Sequence, residues 1–255
     1  MPANESNPVL VEVCAGCLSD VIVAHQCGAN RIELNQALPL GGLTPSLGLL
    51  QAALEQTDLP IIVMIRPRES GFCYSDQEFD TLRRDIDILV TAGAAGIAIG
   101  LLQENGQVDV DRCRQIRQQI GKHELVFHRA FDFISDSKSA LSTMVELGVD
   151  RVMTSGQANS ALEGIDQIAQ TVAAAAGRIE VLPAAGINSR NVLGLVEATS
   201  VNQVHGSFSA IKLDKTATLG SDLANSATDP AEFRQTDPTE LGTAIQALKQ
   251  AANPN

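Results

Sequence analysis

Short apolar, β-branched runs recur along this chain at Leu10–Cys14, Arg31–Leu34, Ile61–Ile65, Gly96–Ile99, Glu124–Phe127, Arg151–Met153, Glu180–Leu182 and Gln203–His205. Their starts lie 21 to 35 residues apart, which leaves room for one helix and two loops in every interval, as parallel strands joined by crossover helices require. The joints repeat as well. HQCGANRIEL, VTAGAAGIAIG, VELGVDRVMTSG and AAAAGRIEV each carry an Ala-, Leu- or Val-rich stretch into a glycine just before the next strand, the pattern of a left-handed helix cap. Eight such units predict an α/β fold of the (β/α)8 TIM-barrel type, because eight parallel strands can close on themselves and leave no sheet edge.

The rhythm stops near the end of the chain. Residues 211–236 are rich in Ser, Thr and Asp with little apolar periodicity, and read as a long loop after the eighth strand; residues 1–8 read as a flexible N-terminus. Asp237-Pro238-Thr239-Glu240 then offers an N-cap, a proline at the first helical position and a capping-box glutamate, which predicts a C-terminal helix over 237–252. The length of 255 residues suits a single barrel domain spanning 1–255.

Composition narrows the functional classes. Hydrophobic residues at 44% against 19% charged support a packed core, which must be aliphatic because there is no Trp and one Tyr. A net charge of −12 argues against nucleic acid or an anionic membrane as partner, so any anion has to be held by a local cluster. The first ten residues lack a basic segment followed by an apolar run, and no later stretch reaches the ~18 apolar residues of a membrane span. The expected location is the cytoplasm, where the five cysteines stay reduced.

Several polar residues sit where a barrel strand should be apolar. Glu12 interrupts VLVEVC and Glu33 interrupts RIEL; inside a barrel such carboxylates are tolerable only when they point to the interior near the mouth. Arg66 and Arg68 follow the third strand in MIRPR, and His128, Arg129 and Asp132 follow the fifth in FHRAFD, while His205 ends the eighth. These residues form either a self-satisfying ion-pair network or a site, with Glu12, Glu33 or Asp132 as proton carriers, His128 or His205 as acid or electrophile, and the arginines as anion ligands. Ser155 and Gly156 in TSG, Gly186 in PAAG and Ser207 add small residues at strand ends whose neighbourhood can approach an anion. Cys14 and Cys17 form a C-x-x-C pair at the end of the first strand, and Cys73 lies in a loop on the same face, a thiol set suited to a soft monovalent metal. Cys27 and Cys113 fall in helical stretches and read as inert, and His25 and His123 read as structural.

Taken together, EVC at Glu12–Cys14, GANRIEL at Gly28–Leu34, GGLTPS at Gly41–Ser46, MIRPR at Met64–Arg68, YSD at Tyr74–Asp76, FHRAFD at Phe127–Asp132, TSG at Thr154–Gly156 and the His205-x-Ser207 pair resemble the CutC family of copper-homeostasis proteins from about Val9 to Ser207. The resemblance implies a TIM barrel, a role in copper tolerance, Cu(I) held by cysteines at the barrel mouth and, by family habit, a homo-oligomer. The family's first thiol falls on Cys14. Where some members carry a second, after RIEL, this chain has Asn35; the usual Asp-Ser after the first strand is Gly16-Cys17, PGGG has become Pro183-Ala184-Ala185-Gly186, and an Arg after the His-x-Ser pair is replaced across Phe208–Ala210. The sequence therefore supports a cytoplasmic Cu(I)-binding protein using Cys14 with Cys17 or Cys73, against an alternative enzyme acting on a small phosphate- or carboxylate-bearing metabolite, or a non-catalytic scaffold with a polar mouth.

Overall fold

A computed structural model describes residues 9–214 and 232–252. The eight runs form β1 (Leu10–Ala15), β2 (Arg31–Leu34), β3 (Ile61–Met64), β4 (Gly96–Ile99), β5 (Glu124–Phe127), β6 (Arg151–Thr154), β7 (Glu180–Pro183) and β8 (Gln203–Gly206). Helices α1 (Leu18–Cys27), α2 (Leu47–Gln56), α3 (Asp76–Thr91), α4 (Val110–Ile120), α5 (Ser137–Glu146), α6 (Ile165–Ala175) and α7 (Val192–Thr199) alternate with them. The sheet runs β7-β6-β5-β4-β3-β2-β1-β8 with every pairing parallel, and β7 and β8 stand side by side without a hydrogen-bonded ladder among the described residues. This is a nearly closed TIM barrel. The glycines expected at helix ends are there with positive φ: Gly28, at 76°, caps α1, Gly93 and Gly148, at 115 and 69°, follow the caps of α3 and α5, and Gly177, at 72°, follows Ala176, which itself takes the left-handed cap of α6.

Alternation along the strands decides what the barrel holds. Outward positions such as Val11, Val13, Ile32, Leu34, Val63, Ile97, Phe127, Val152 and Val204 pack with the helices in the main core. Two smaller apolar clusters stand apart from it, Ile62, Met64, Ala98 and Val126 in one, Met153, Leu182 and Ala184 in the other. On β1, β2, β6 and β8 the positions of the same inward parity are the buried polar residues Glu12, Arg31, Glu33, Arg151, Gln203 and His205.

The C-terminal segment differs from expectation. Residues 211–236 are not simply a loop: β9 (Ser209–Leu213) pairs antiparallel with β10 (Glu232–Thr236), and residues 215–231 between them lie outside the described set, as do residues 1–8. Neither strand shows a buried apolar alternation, because the hairpin is held by its ladder and is largely solvent-facing, so hydropathy gave no sign of it. Buried Asp20 anchors it, accepting from the Thr236 N–H and from the Gly16 N–H, both at 2.8 Å. The last helix, α8 (Pro238–Ala252), starts on Asp237, whose Oδ1 accepts from the N–H groups of Thr239 and Glu240 at 3.0 and 3.1 Å. Glu240 does not close a capping box. Its carboxylate instead accepts from the Ser189 N–H at 2.8 Å and ties α8 to the turn after β7.

Candidate functional site

Strand register builds the polar interior. Glu12 stands level with Arg31 on one side and His205 on the other, and Cys14 stands level with Glu33. At the floor, Arg31 donates from Nε to Glu12 and from Nη2 to Gln203 Oε1 at 2.8 Å. The same Gln203 oxygen accepts from Arg151 Nε at 2.8 Å, and Arg151 also pairs with Glu180 and Glu124 at 2.8 and 3.0 Å. Burial works against the Glu12 charge, but the hydrogen bond from His205 and the nearby Arg31 and Arg151 hold its carboxyl at about 2. Arg31, Arg151 and Gln203 escaped the sequence reading, although Arg31 precedes Glu33 by two positions and therefore shares its inward face.

One layer up, His205 donates from Nδ1 to Glu12 Oε1 at 2.8 Å, which turns its Nε2 towards Glu33 Oε2 at 3.7 Å. Cys14 Sγ lies 3.8 Å from that same oxygen, and Asn35 Nδ2 donates to it at 2.9 Å while approaching Cys14 Sγ at 3.5 Å. One ligand-capable atom from each of Cys14, Glu33 and His205 lies within 4.8 Å of the others. Burial pushes the Cys14 thiol and the Glu33 carboxyl up, the latter helped by the charge of Glu12. Burial opposes a charged His205, yet Glu33 and hydrogen bonds to Cys14 and Glu12 hold its imidazolium well above the ordinary histidine range. The cluster sets an imidazole that favours its proton beside a thiol and a carboxyl that both resist ionisation. Glu33 Oε1 and Asn35 Oδ1, both buried, have no donor among the described residues.

The opposite wall carries Arg66, from the end of β3, and His128, from the end of β5. Arg66 reaches back over two loops, donating to the carbonyls of Leu40 and Gly42 at 3.1 Å and of Ser70 at 2.8 Å. His128 Nδ1 accepts from the Ala130 N–H at 3.1 Å, and the ring rests against bare Gly100, where a Cβ would come within 2.1 Å of Cε1. Burial and the charges of Arg66 and Arg129 push His128 down to about 3, so the ring is neutral.

Other expected site residues are placed elsewhere or already engaged. Asp132 accepts from Thr154 Oγ1, the N–H groups of Ser155 and Gln157, Ser155 Oγ and Arg129 Nε, at 2.5 to 3.2 Å. The N–H nest after β6 that was expected to hold an external anion is thus occupied by the chain's own carboxylate, with Gly156 turning at φ 73° and backing onto Gly164. Arg129 is spent on Asp132 and Ser155. Arg68 lies over Tyr74 and binds Glu78 and the carbonyls of Glu69, Gly71 and Cys73. Gly186 sits on the exposed turn after β7, where its carbonyl accepts from Asn188 and Asn191, and Ser207 Oγ meets Ser209 Oγ at 3.1 Å. Cys17 caps α1, where Gln235 approaches its sulfur, and Cys73 is exposed; neither belongs to the donor group at Cys14.

A family model described as the CutC family matches residues 9–210. This chain belongs to the CutC family. A CutC family protein of Treponema denticola is 43% identical over 204 residues, covering 80% of this chain and 82% of the relative. The human copper homeostasis protein cutC homolog is 39% identical over 203 residues, covering 80% and 74%. The CutC crystal structure from Streptococcus agalactiae superposes with a TM-score of 0.75 at 33% identity, over 78% of this chain and 98% of that one. No helix among the described residues is long and apolar enough to cross a membrane.

Proposed function

We propose that this CutC protein takes Cu(I) as cargo at the barrel mouth in the cytoplasm, through Cys14 Sγ and His205 Nε2. The convergence of Cys14, Glu33 and His205 within 4.8 Å carries this reading. A thiolate and an imidazole both suit copper, whereas a carboxylate is a hard ligand better used to receive protons. Glu12, bonded to Nδ1 of His205, fixes the tautomer that presents Nε2, the arrangement that commonly orients metal-binding imidazoles. Loading would release the Cys14 thiol proton and the His205 Nε2 proton, one to Glu33 as the nearest base and the other to solvent. Five unpaired cysteines fit a reducing compartment.

Competition against a Cu(I) chelator under reducing conditions tests the assignment. Cys14→Ser is expected to weaken binding by about tenfold or more, while a Cys17→Ser, Cys73→Ser double variant binds as the wild type does. Equal affinity in wild type and Cys14→Ser would sink the reading.

A further inference from the structure

Three polar groups on the β3 and β5 side of the mouth belong to residues more than nine-tenths buried, Arg66 (7% exposed), Tyr74 (5%) and His128 (3%); among the described residues Arg66 Nε and His128 Nε2 lack a well-formed hydrogen bond, and the Tyr74 hydroxyl meets only the Arg66 guanidinium. They are neighbours. The Phe72 ring lies 5.0 Å from the His128 ring and 5.2 Å from Arg66 Cζ, and the Tyr74 hydroxyl faces the Arg66 guanidinium. All three can donate. Because His128 Nδ1 accepts from the Ala130 N–H, the proton of the neutral ring sits on Nε2.

Arg66 adds charge to this set. Its other nitrogens are spent on three backbone carbonyls, and among the described residues no carboxylate lies within ion-pair distance of it. A guanidinium this buried is normally paired, and each orphaned donor costs free energy until something accepts from it. The contrast with the nest after β6 is direct, since Asp132 already neutralises Arg129 there.

We propose that this corner of the mouth binds the oxyanion of a small ligand, a carboxylate or a phosphate, with Arg66 Nε, His128 Nε2 and the Tyr74 hydroxyl as its donors. Bare Gly100 and the Ala130 N–H fix the imidazole beforehand, so little ordering is required on binding. The neutral state of His128 means that this donor persists across the physiological pH range. The inference stands apart from the copper assignment, which uses the facing wall.

The test is calorimetric titration of the full chain, stripped of metal by a chelator, with inorganic phosphate and separately with malonate. Saturable binding of one of them is expected, weakened about tenfold or more by Tyr74→Phe and by His128→Phe. Tyr74→Phe keeps the ring against Arg68 and removes a hydroxyl whose near neighbour is the Arg66 guanidinium, so the variant should stay folded and its binding result is readable even if His128→Phe folds poorly. If neither anion binds the wild type, or if the folded variants bind as the wild type does, the orphaned donors belong to the scaffold alone and the proposal is overturned. Copper is absent throughout, so this outcome is independent of the Cys14 result.

Discussion

At the floor of the barrel Arg31 meets Glu12, Arg151 meets Glu124 and Glu180, and one oxygen of Gln203 accepts from both arginines. At the mouth, among the described residues, Arg66 meets no carboxylate, Glu33 Oε1 and Asn35 Oδ1 lack donors, and Cys14, Glu33 and His205 crowd three titratable groups around one point. Both ends bury arginine, glutamate and an amide side chain; the difference lies in whether the partners are supplied by the chain. Paired charges at the amino ends of barrel strands serve the fold, whereas open valences at the carboxyl ends await something from outside. The mouth itself divides, with orphaned acceptors on β2 facing the copper cluster and orphaned donors towards β3 and β5.

The largest effect expected from this contrast is at the floor. Arg31→Met leaves buried Glu12 without its arginine and should lower unfolding free energy by about 3 kcal/mol or more, measured by denaturant titration. Glu33→Gln removes a buried carboxylate with an unsatisfied oxygen, and should change stability by only about 0.5 kcal/mol or less. Equal losses in the two variants would erase the distinction between floor and mouth.

A smaller effect depends on pH. His128 stays neutral in the folded protein down to about 3, but in the unfolded chain it takes up a proton near 6.5. Between those values the unfolded state binds the extra proton, so stability falls as pH falls, by about 1.4 kcal/mol per pH unit from this group alone. Denaturation curves collected from pH 6.5 to 4.5 should therefore be less pH-dependent in His128→Phe than in wild type; parallel slopes would show that His128 titrates normally. The smallest expected change sharpens the copper side. Asn35 Nδ2 is 3.5 Å from Cys14 Sγ, so Asn35→Cys sets a second soft donor beside the first and should tighten Cu(I) by about tenfold in the same competition assay.

The strands were legible because each is a short apolar run, four of them led in by a glycine at the end of the preceding helix, and β2, β4 and β5 begin and end where hydropathy places them. Glu12, Glu33 and His205 were legible as charges in the wrong place. Their partners were not, because which charge neutralises which is decided by register between strands, and Arg151 lies 120 positions from Arg31 along the chain while sharing Gln203 with it. The same limit explains Asp132, which as a residue of FHRAFD reads as a proton carrier until its five donors are in view. The C-x-x-C spacing misled for a local reason: Cys14 points inward from a strand while Cys17 begins a helix, so the backbone parts the two side chains.

Among the described residues, His205 rides on a strand with a neighbour ladder on one side only. β8 is bonded to β1, but along its other flank it merely lies beside β7. What completes the circle is the outer layer, where α8 packs between α7 and α1 and is tethered through Glu240 and the Asp20-anchored hairpin. The inner wall has a slit there, and the outer layer beside it is closed by α8. Amide protons bordering that slit have no rung to protect them, so the strand bearing the imidazole can breathe while the ring of helices keeps its shape.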